Sequence, residues 1–165
     1  MSHAHAHGHG HGHEGCPGAK VLHFAEQNEA AEEQQGTRPS QLRQWPVQLH
    51  LVPLTAPYFQ NADVLLAADC VAYALGDFHK DHLKGHALAI ACPKLDEGLD
   101  IYREKITALV DEAKINTLTV MIMQVPCCGG LLQVAKSAVE QATRKIPIKA
   151  KVVSLQGEIL QEEWV

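Results

Sequence analysis

The stretch LTVMIMQVPCCGGLLQVAKSAVEQATR, residues 118–144, joins a mostly apolar run to a run with helical spacing. The apolar run is typical of a strand buried in a parallel sheet. Between the two runs stand Cys127 and Cys128, followed by Gly129 and Gly130, where the backbone can approach a bound group closely. The sequence therefore predicts two thiols at the start of a helix, where the amide donors and the helix dipole favour the thiolate form and lower the thiol pKa.

Further short apolar runs precede and follow this stretch, and segments with helical spacing separate most of them. Strands that alternate with helices in this way indicate an open, mostly parallel sheet. We therefore predict an α/β fold of about four to five strands with helices on both faces, flavodoxin-like or Rossmann-like. The predicted strands are 47–52, 63–68, 87–91, 118–125 and 148–155; the predicted helices are 71–83, 101–113 and 131–143; a polar tail follows at 161–165.

The composition indicates one globular domain with appendages. The chain has 165 residues, of which 46% are hydrophobic and 20% charged. We divide it into a His-rich disordered tail at 1–14, a Cys-containing arm and polar linker at 15–44, and the α/β domain at 45–165.

Charge and hydropathy exclude several classes of partner. The net charge of -5 gives no basic stripe, so we expect no nucleic acid partner. No apolar run approaches the ~20 residues that cross a bilayer, and no signal peptide is recognisable, so we expect a cytoplasmic protein without membrane insertion. Neither G-x-G-x2-G after the first strand nor a phosphate-binding G-x4-G-K-[ST] loop is present, so nucleotide binding has no support.

The cysteines carry the functional prediction. Cys70, Cys92 and Cys127 each follow the end of a different predicted strand, so we expect them at one edge of the sheet, where α/β proteins bind ligands. An odd number of cysteines, five, in a reducing compartment favours metal binding or redox chemistry over disulfides. The alternative, that they are buried small hydrophobic residues, explains the adjacent pair poorly.

The spacing favours an iron–sulfur cluster, with [4Fe-4S] as the preferred form. Structural zinc sites usually use a C-x2-C knuckle, which this chain lacks, whereas a cluster can bridge thiolates from widely separated loops. Small neighbours such as Gly129 and Gly130 leave room for it. The fourth ligand can be Cys128 or Cys16, and the spacing does not choose between them. We therefore predict an iron–sulfur protein that exchanges electrons with a redox partner protein or serves as an oxidoreductase component.

Several segments resemble the C-terminal domain of ferredoxin-family iron–sulfur proteins of anaerobic bacteria. They are GCPG at 15–18, SQLRQWPVQLHLVP at 40–53, AADC at 67–70, CPK at 92–94 and PCCGG at 126–130. The resemblance implies iron–sulfur binding and electron transfer in anaerobic metabolism. The CCG triplet at 127–129 is also similar to the CCG motif of heterodisulfide-reductase domains.

Two alternative functions remain open from the sequence. The first is a nickel- or zinc-handling protein, in which the tail collects the metal and the cysteines receive it; a purification tag or an unspecific metal-scavenging segment would look the same. The second is a thiol-redox enzyme that uses Cys127 and Cys128. A further pattern, His79, His82 and His86, is more typical of solvated surface residues than of a metal site. The tail histidines are His3, His5, His7, His9, His11 and His13.

Overall fold

Continuous apolar runs form the centre of a five-stranded sheet in the computed structural model, which describes residues 21–23 and 38–165. The runs DVLLAA, ALAIA and TLTVMIM are buried almost throughout, as expected for parallel strands covered on both faces. The strands of the sheet are β3 (Asp63–Ala68), β4 (Ala87–Ala91), β5 (Thr117–Met123), β6 (Ile148–Val153) and β7 (Ile159–Trp164). Two short strands, β1 (Leu22–His23) and β2 (Gln44–Trp45), form a separate antiparallel pair.

The sheet has the order β4-β3-β5-β6-β7, in which the first four strands are parallel and β7 is antiparallel to β6. The predicted α/β class, with an open, mostly parallel, Rossmann-like sheet, is therefore confirmed. The chain runs from β3 to β4 on one side of it, and from β4 it crosses to β5 on the other side of β3. Because parallel crossovers are right-handed, these two directions put the connecting helices on opposite faces.

Six helical segments connect the strands in the described part of the chain. Two are 3-10 turns, at Pro57–Phe59 and Pro126–Cys128, and the others are α1 (Val71–Ala74), a π-helical turn at Phe78–Leu83, α2 (Leu99–Asp111) and α3 (Gly129–Gln141). The longer helices α2 and α3 pack on each other, and the Thr107 hydroxyl lies 3.2 Å from the Ala138 carbonyl. Within residues 21–23 and 38–165, no helix has the length and apolar character to cross a membrane.

The predicted continuous helix at 71–83 is wrong, because the chain breaks after α1. Leu75 has an extended backbone, and its side chain is buried in the core. Gly76 follows it, and glycine is a poor helix former. Helical structure resumes only at Phe78, and Gly85 (φ 80) then adopts the left-handed conformation.

The predicted first strand at 47–52 is also wrong. Only Gln48 bridges to the sheet, beside Ile90 of β4, and the chain then turns. The Lys105 ammonium donates hydrogen bonds to the carbonyls of Leu49, His50 and Val52, at 2.9, 2.6 and 3.0 Å. One amine thus satisfies the acceptors that a strand would have paired with a neighbour.

The polar tail predicted at 161–165 is instead mostly part of β7. Glu162 is stabilised across the strand pair, since its carboxylate lies 2.9 Å from the Lys149 ammonium and 3.3 Å from that of Lys151. The Lys149 ammonium also lies 4.6 Å from the ring centre of Trp164. Cross-strand pairs of this kind stabilise a strand that lacks an apolar face.

Asp111, the last residue of α2, holds the chain that follows α3. Its carboxylate accepts the backbone N–H groups of Arg144 and Thr143, both at 2.9 Å, and these bonds lower the pKa of Asp111. Because the folded pKa lies below the unfolded value of about 3.9, the bonds stabilise the fold above about pH 4. That stabilisation is lost as pH falls through the folded pKa.

We therefore expect Asp111→Asn to reduce the loss of stability on acidification. Urea unfolding midpoints of the variant and the wild type should differ at pH 6, and the difference should shrink as the pH falls below the unfolded value of about 3.9. Glu112→Gln, at an exposed neighbouring position, is the control. A midpoint difference that stays constant over this pH range would contradict the role of Asp111.

Candidate functional site

The carboxyl ends of three adjacent strands carry four cysteines. Cys92 directly follows β4, Cys70 lies just beyond β3, and Cys127 and Cys128 lie in the turn after β5. All four are free thiols. We call these four residues the cysteine edge, and the expectation that Cys70, Cys92 and Cys127 share one edge is confirmed.

The cysteine edge lies at the point where the order of the strands reverses, between β3 and β5. The loop after β3 leads to α1 on one face, and the loop after β5 leads to α3 on the other. In open α/β sheets such diverging loops leave a crevice, which is where ligands bind. Cys70 stands on one side of this crevice and Cys127 on the other.

A 3-10 turn at Pro126–Cys128 places the adjacent thiols in different surroundings. Cys127 is exposed, whereas Cys128 is buried, with 6% of its surface accessible. Burial raises the pKa of the Cys128 thiol, and the nearby thiols of Cys127 and Cys70 raise it further, against a hydrogen bond from the Met123 backbone that lowers it. The predicted lowering of the pKa is therefore wrong for Cys128, because burial outweighs the helix terminus.

The loop that carries Cys92 is held by a carboxylate that the sequence reasoning missed. Asp96 Oδ2 accepts the Cys92 backbone N–H at 2.8 Å, the Gln48 amide at 3.3 Å and the Tyr102 hydroxyl. Burial alone would raise the pKa of Asp96, but these hydrogen bonds lower it overall. The only signal in the sequence was an acid four residues after a strand-terminal cysteine.

The first turn of α3 faces the loop that carries Cys92. A Cβ at Gly130 would stand 3.4 Å from the Pro93 ring, which is ordinary van der Waals contact. Gly129 has no tertiary neighbour within 4 Å of the position where a Cβ would stand. The expected free space beside the thiols is therefore found at Gly129, whereas Gly130 lies against the Cys92 loop.

A second missed carboxylate lies next to Cys70. Asp69 Oδ1 is buried, and in the described part of the chain no group hydrogen-bonds to it. Burial raises the pKa of Asp69, and the negative charge of Asp96 raises it further. Since buried polar atoms normally have partners, this oxygen marks the edge as a place where a bound group or water is needed.

The thiols do not converge on a single-ion position. Among residues 21–23 and 38–165, no three side chains of His, Cys, Asp or Glu are placed to hold one metal ion. Cys16 and the tail histidines His3, His5, His7, His9, His11 and His13 lie outside the described residues, so their predicted roles stay predictions.

The three central histidines also do not form a metal site. His79 is exposed, and its Nδ1 accepts the Gln41 N–H at 3.1 Å. His82 is half-buried with an unpartnered Nδ1, and burial lowers its pKa, so a fully solvated role is wrong for this residue. His86 Nδ1 lies 3.1 Å from the Lys84 carbonyl.

Comparison with known proteins supports the fold. A family model described as a Rossmann-like domain matches residues 56–165. The chain is similar to a protein of Archaeoglobus fulgidus that is described as uncharacterized, with 29% identity over 72% of this chain and 83% of the relative. No solved structure matches.

These matches correct the family assignment suggested by the sequence motifs. They identify a Rossmann-like domain and do not point to the C-terminal domain of ferredoxin-family [4Fe-4S] proteins. The motifs at 40–53 and 126–130 therefore do not establish membership of that family.

Proposed function

The chain belongs to the Rossmann-like domain family, and within this fold we propose that the cysteine edge binds an iron–sulfur cluster that serves electron transfer or redox catalysis. The observation that carries the proposal is the placement of four free thiols at the carboxyl ends of three neighbouring strands, beside the crevice. Thiolates are the usual protein ligands of iron–sulfur clusters.

The spacing of the thiols supports a cluster over a single ion. A single ion needs its ligands gathered around one point, and the described residues offer no such group. A cluster is larger and is held at its corners, so thiols on separate loops suit it. We propose [4Fe-4S], with Cys70, Cys92 and Cys127 as ligands and either Cys128 or Cys16 as the fourth.

The surrounding residues would tune such a group. The Met123 backbone hydrogen bond to the Cys128 sulfur stabilises negative charge at that sulfur. Asp69 and Asp96 lie beside the edge, and their negative charge disfavours reduction, so we expect a low reduction potential. When bound, the cluster would supply a one-electron redox centre.

The exposure of the edge supports a protein partner. Cys70 and Cys127 are exposed, so a redox partner can come close to the ligands. Tyr73 and Leu95, at 93% and 80% exposed, flank the two loops that carry Cys70 and Cys92. The free thiols agree with a reducing compartment, and we propose the cytoplasm.

Anaerobic reconstitution tests the proposal. Incubation of the full chain with ferrous iron and sulfide, followed by desalting, should leave a brown protein with about four iron and four sulfide per chain. Its reduced form should give an electron paramagnetic resonance signal. A desalted protein that is colourless and contains neither iron nor sulfide would refute the proposal.

A thiol-redox enzyme is the second candidate, and the position of the Cys127 thiol next to Cys128, whose pKa it raises, favours it. The two thiols would transfer two electrons and two protons to a disulfide substrate, which is reduced to two thiols while the pair forms a disulfide. Metal-free protein in which both thiols remain free after treatment with a small disulfide would exclude this activity. Nickel or zinc handling by the tail stays a prediction, because that segment lies outside the described residues.

A further inference from the structure

A cavity of about 550 Å³ lies beside the cysteine edge, between the segment 38–41 and the residues from Ala72 to Lys80. It begins two residues beyond Cys70, at Ala72 in α1. Its volume lies within the range of small-molecule sites. None of the four cysteines lines it, so it is distinct from the cysteine edge.

The polar part of the lining presents mainly hydrogen-bond donors. Because His79 Nδ1 accepts the Gln41 backbone N–H, a neutral His79 carries its proton on Nε2 and presents a donor. Ser40 Oγ accepts the Leu42 N–H at 3.1 Å and lies 3.5 Å from His79 Nδ1, so its hydroxyl proton is directed to that ring nitrogen and helps to fix the His79 tautomer.

The charges of the lining leave one cation unbalanced. Arg38 and Asp77 form an ion pair, so their charges offset each other. Lys80 is exposed and forms no ion pair with a carboxylate in the described part of the chain. In a protein with a net charge of -5, this is a local site for an anion.

The rest of the lining is apolar and aromatic. Tyr73 is 93% exposed, an unusual state for a ring of this size, and Leu75, Phe78 and Pro39 complete this side. Aromatic rings stack on flat apolar groups. The cavity thus combines a flat apolar side with a side of donors and one cation.

We propose that this cavity binds a small organic carboxylate with a flat apolar body. The carboxylate lies at Lys80 and His79, and the apolar body packs on Tyr73. Charge-assisted hydrogen bonds from Lys80 supply much of the affinity. The inference does not depend on the iron–sulfur proposal, because the lining contains none of the proposed ligands.

Benzoate is the probe for this site, with benzyl alcohol and acetate as matched probes that lack the charge or the ring. In an NMR titration of the ¹⁵N-labelled full chain without iron, benzoate should bind with a Kd on the order of 1 mM. The amide signals of Tyr73 and His79 should move most. Both other probes should bind about tenfold more weakly.

Two substitutions locate the binding. Lys80→Met keeps the aliphatic stem and removes the charge, and it should weaken benzoate binding about tenfold. Lys136→Met on α3, far along the chain from the cavity, should not change it. Lys80 is exposed and Lys136 is half-buried, and neither belongs to the buried core, so neither variant threatens the fold.

Any of four results would overturn the proposal. Three come from the titration of the wild type: no saturable shift with benzoate, shifts centred away from residues 72–80, or equal binding of benzoate and benzyl alcohol. The fourth is an unchanged benzoate affinity in Lys80→Met. None of these outcomes bears on the cluster, which is measured separately by iron and sulfide content.

Discussion

Replacing Cys70, Cys92 or Cys127 with serine is expected to abolish stable binding of iron and sulfide. Each thiol comes from a different strand end, so no neighbouring loop can replace a lost ligand. Loss of partners that merely orient a ligand costs 10- to 100-fold in metal affinity, and loss of the ligand itself should cost at least about as much. Iron and sulfide are measured after anaerobic reconstitution and desalting.

The pair Cys128→Ser and Cys16→Ser identifies the fourth ligand. One of these variants should lose the cluster, and the other should retain it and act as the matched control. Cys70 and Cys127 are exposed, so serine there should leave the unfolding midpoint of the metal-free protein unchanged. Full iron content in all five serine variants would show that the cysteines do not hold iron.

The largest effect on stability is expected from Gly157→Ala. Gly157 has a φ of 86°, and a Cβ there would overlap the carbonyl oxygen of Ala74 at the end of α1. Left-handed backbone costs an alanine about 1–2 kcal/mol, and overpacking adds about 1–3 kcal/mol, so we expect a loss of about 3 kcal/mol in the free energy of unfolding. Urea unfolding measures it.

Two other glycines separate the cost of the left-handed backbone from the cost of the steric overlap. Gly85→Ala, at φ 80° with no neighbour within 4 Å, should show the backbone cost alone, about 1 kcal/mol. Gly76→Ala has neither problem and should change stability by less than about 0.5 kcal/mol. If Gly157→Ala lowered the free energy of unfolding no more than Gly85→Ala does, steric overlap between position 157 and Ala74 of α1 would be excluded as a cause.

The sequence predicts the central sheet well because its strands are continuous apolar runs between turn residues. It fails where a long-range contact replaces the local signal. The segment 47–52 alternates like a strand, but the ammonium of Lys105, more than 50 residues away, donates hydrogen bonds to its carbonyl groups. The strand β7 reads as a polar tail because its stability comes from lysines on β6.

The candidate site follows the same division. The common edge of the cysteines is predictable, since strand ends are local features and parallel strands align them. The roles of Asp96 and Asp69 are not predictable from the sequence, because they depend on burial and on partners distant in sequence such as Gln48. The pKa of Cys128 is mispredicted for the same reason: its environment is set by packing and not by its place before a helix.

The acidic residues of β7 affect whether a further strand can pair with the open edge of the sheet. The strand has β6 on one side only, and its outer backbone groups face no further strand of the five. A second chain that added itself there would meet the carboxylates of Glu162 and Glu163 along the strand. Charged side chains on an open strand discourage unwanted pairing and amyloid-like growth. The acidic residues of β7 thus disfavour aggregation at this border, while Lys149 and Lys151 compensate the charge of Glu162 within the fold.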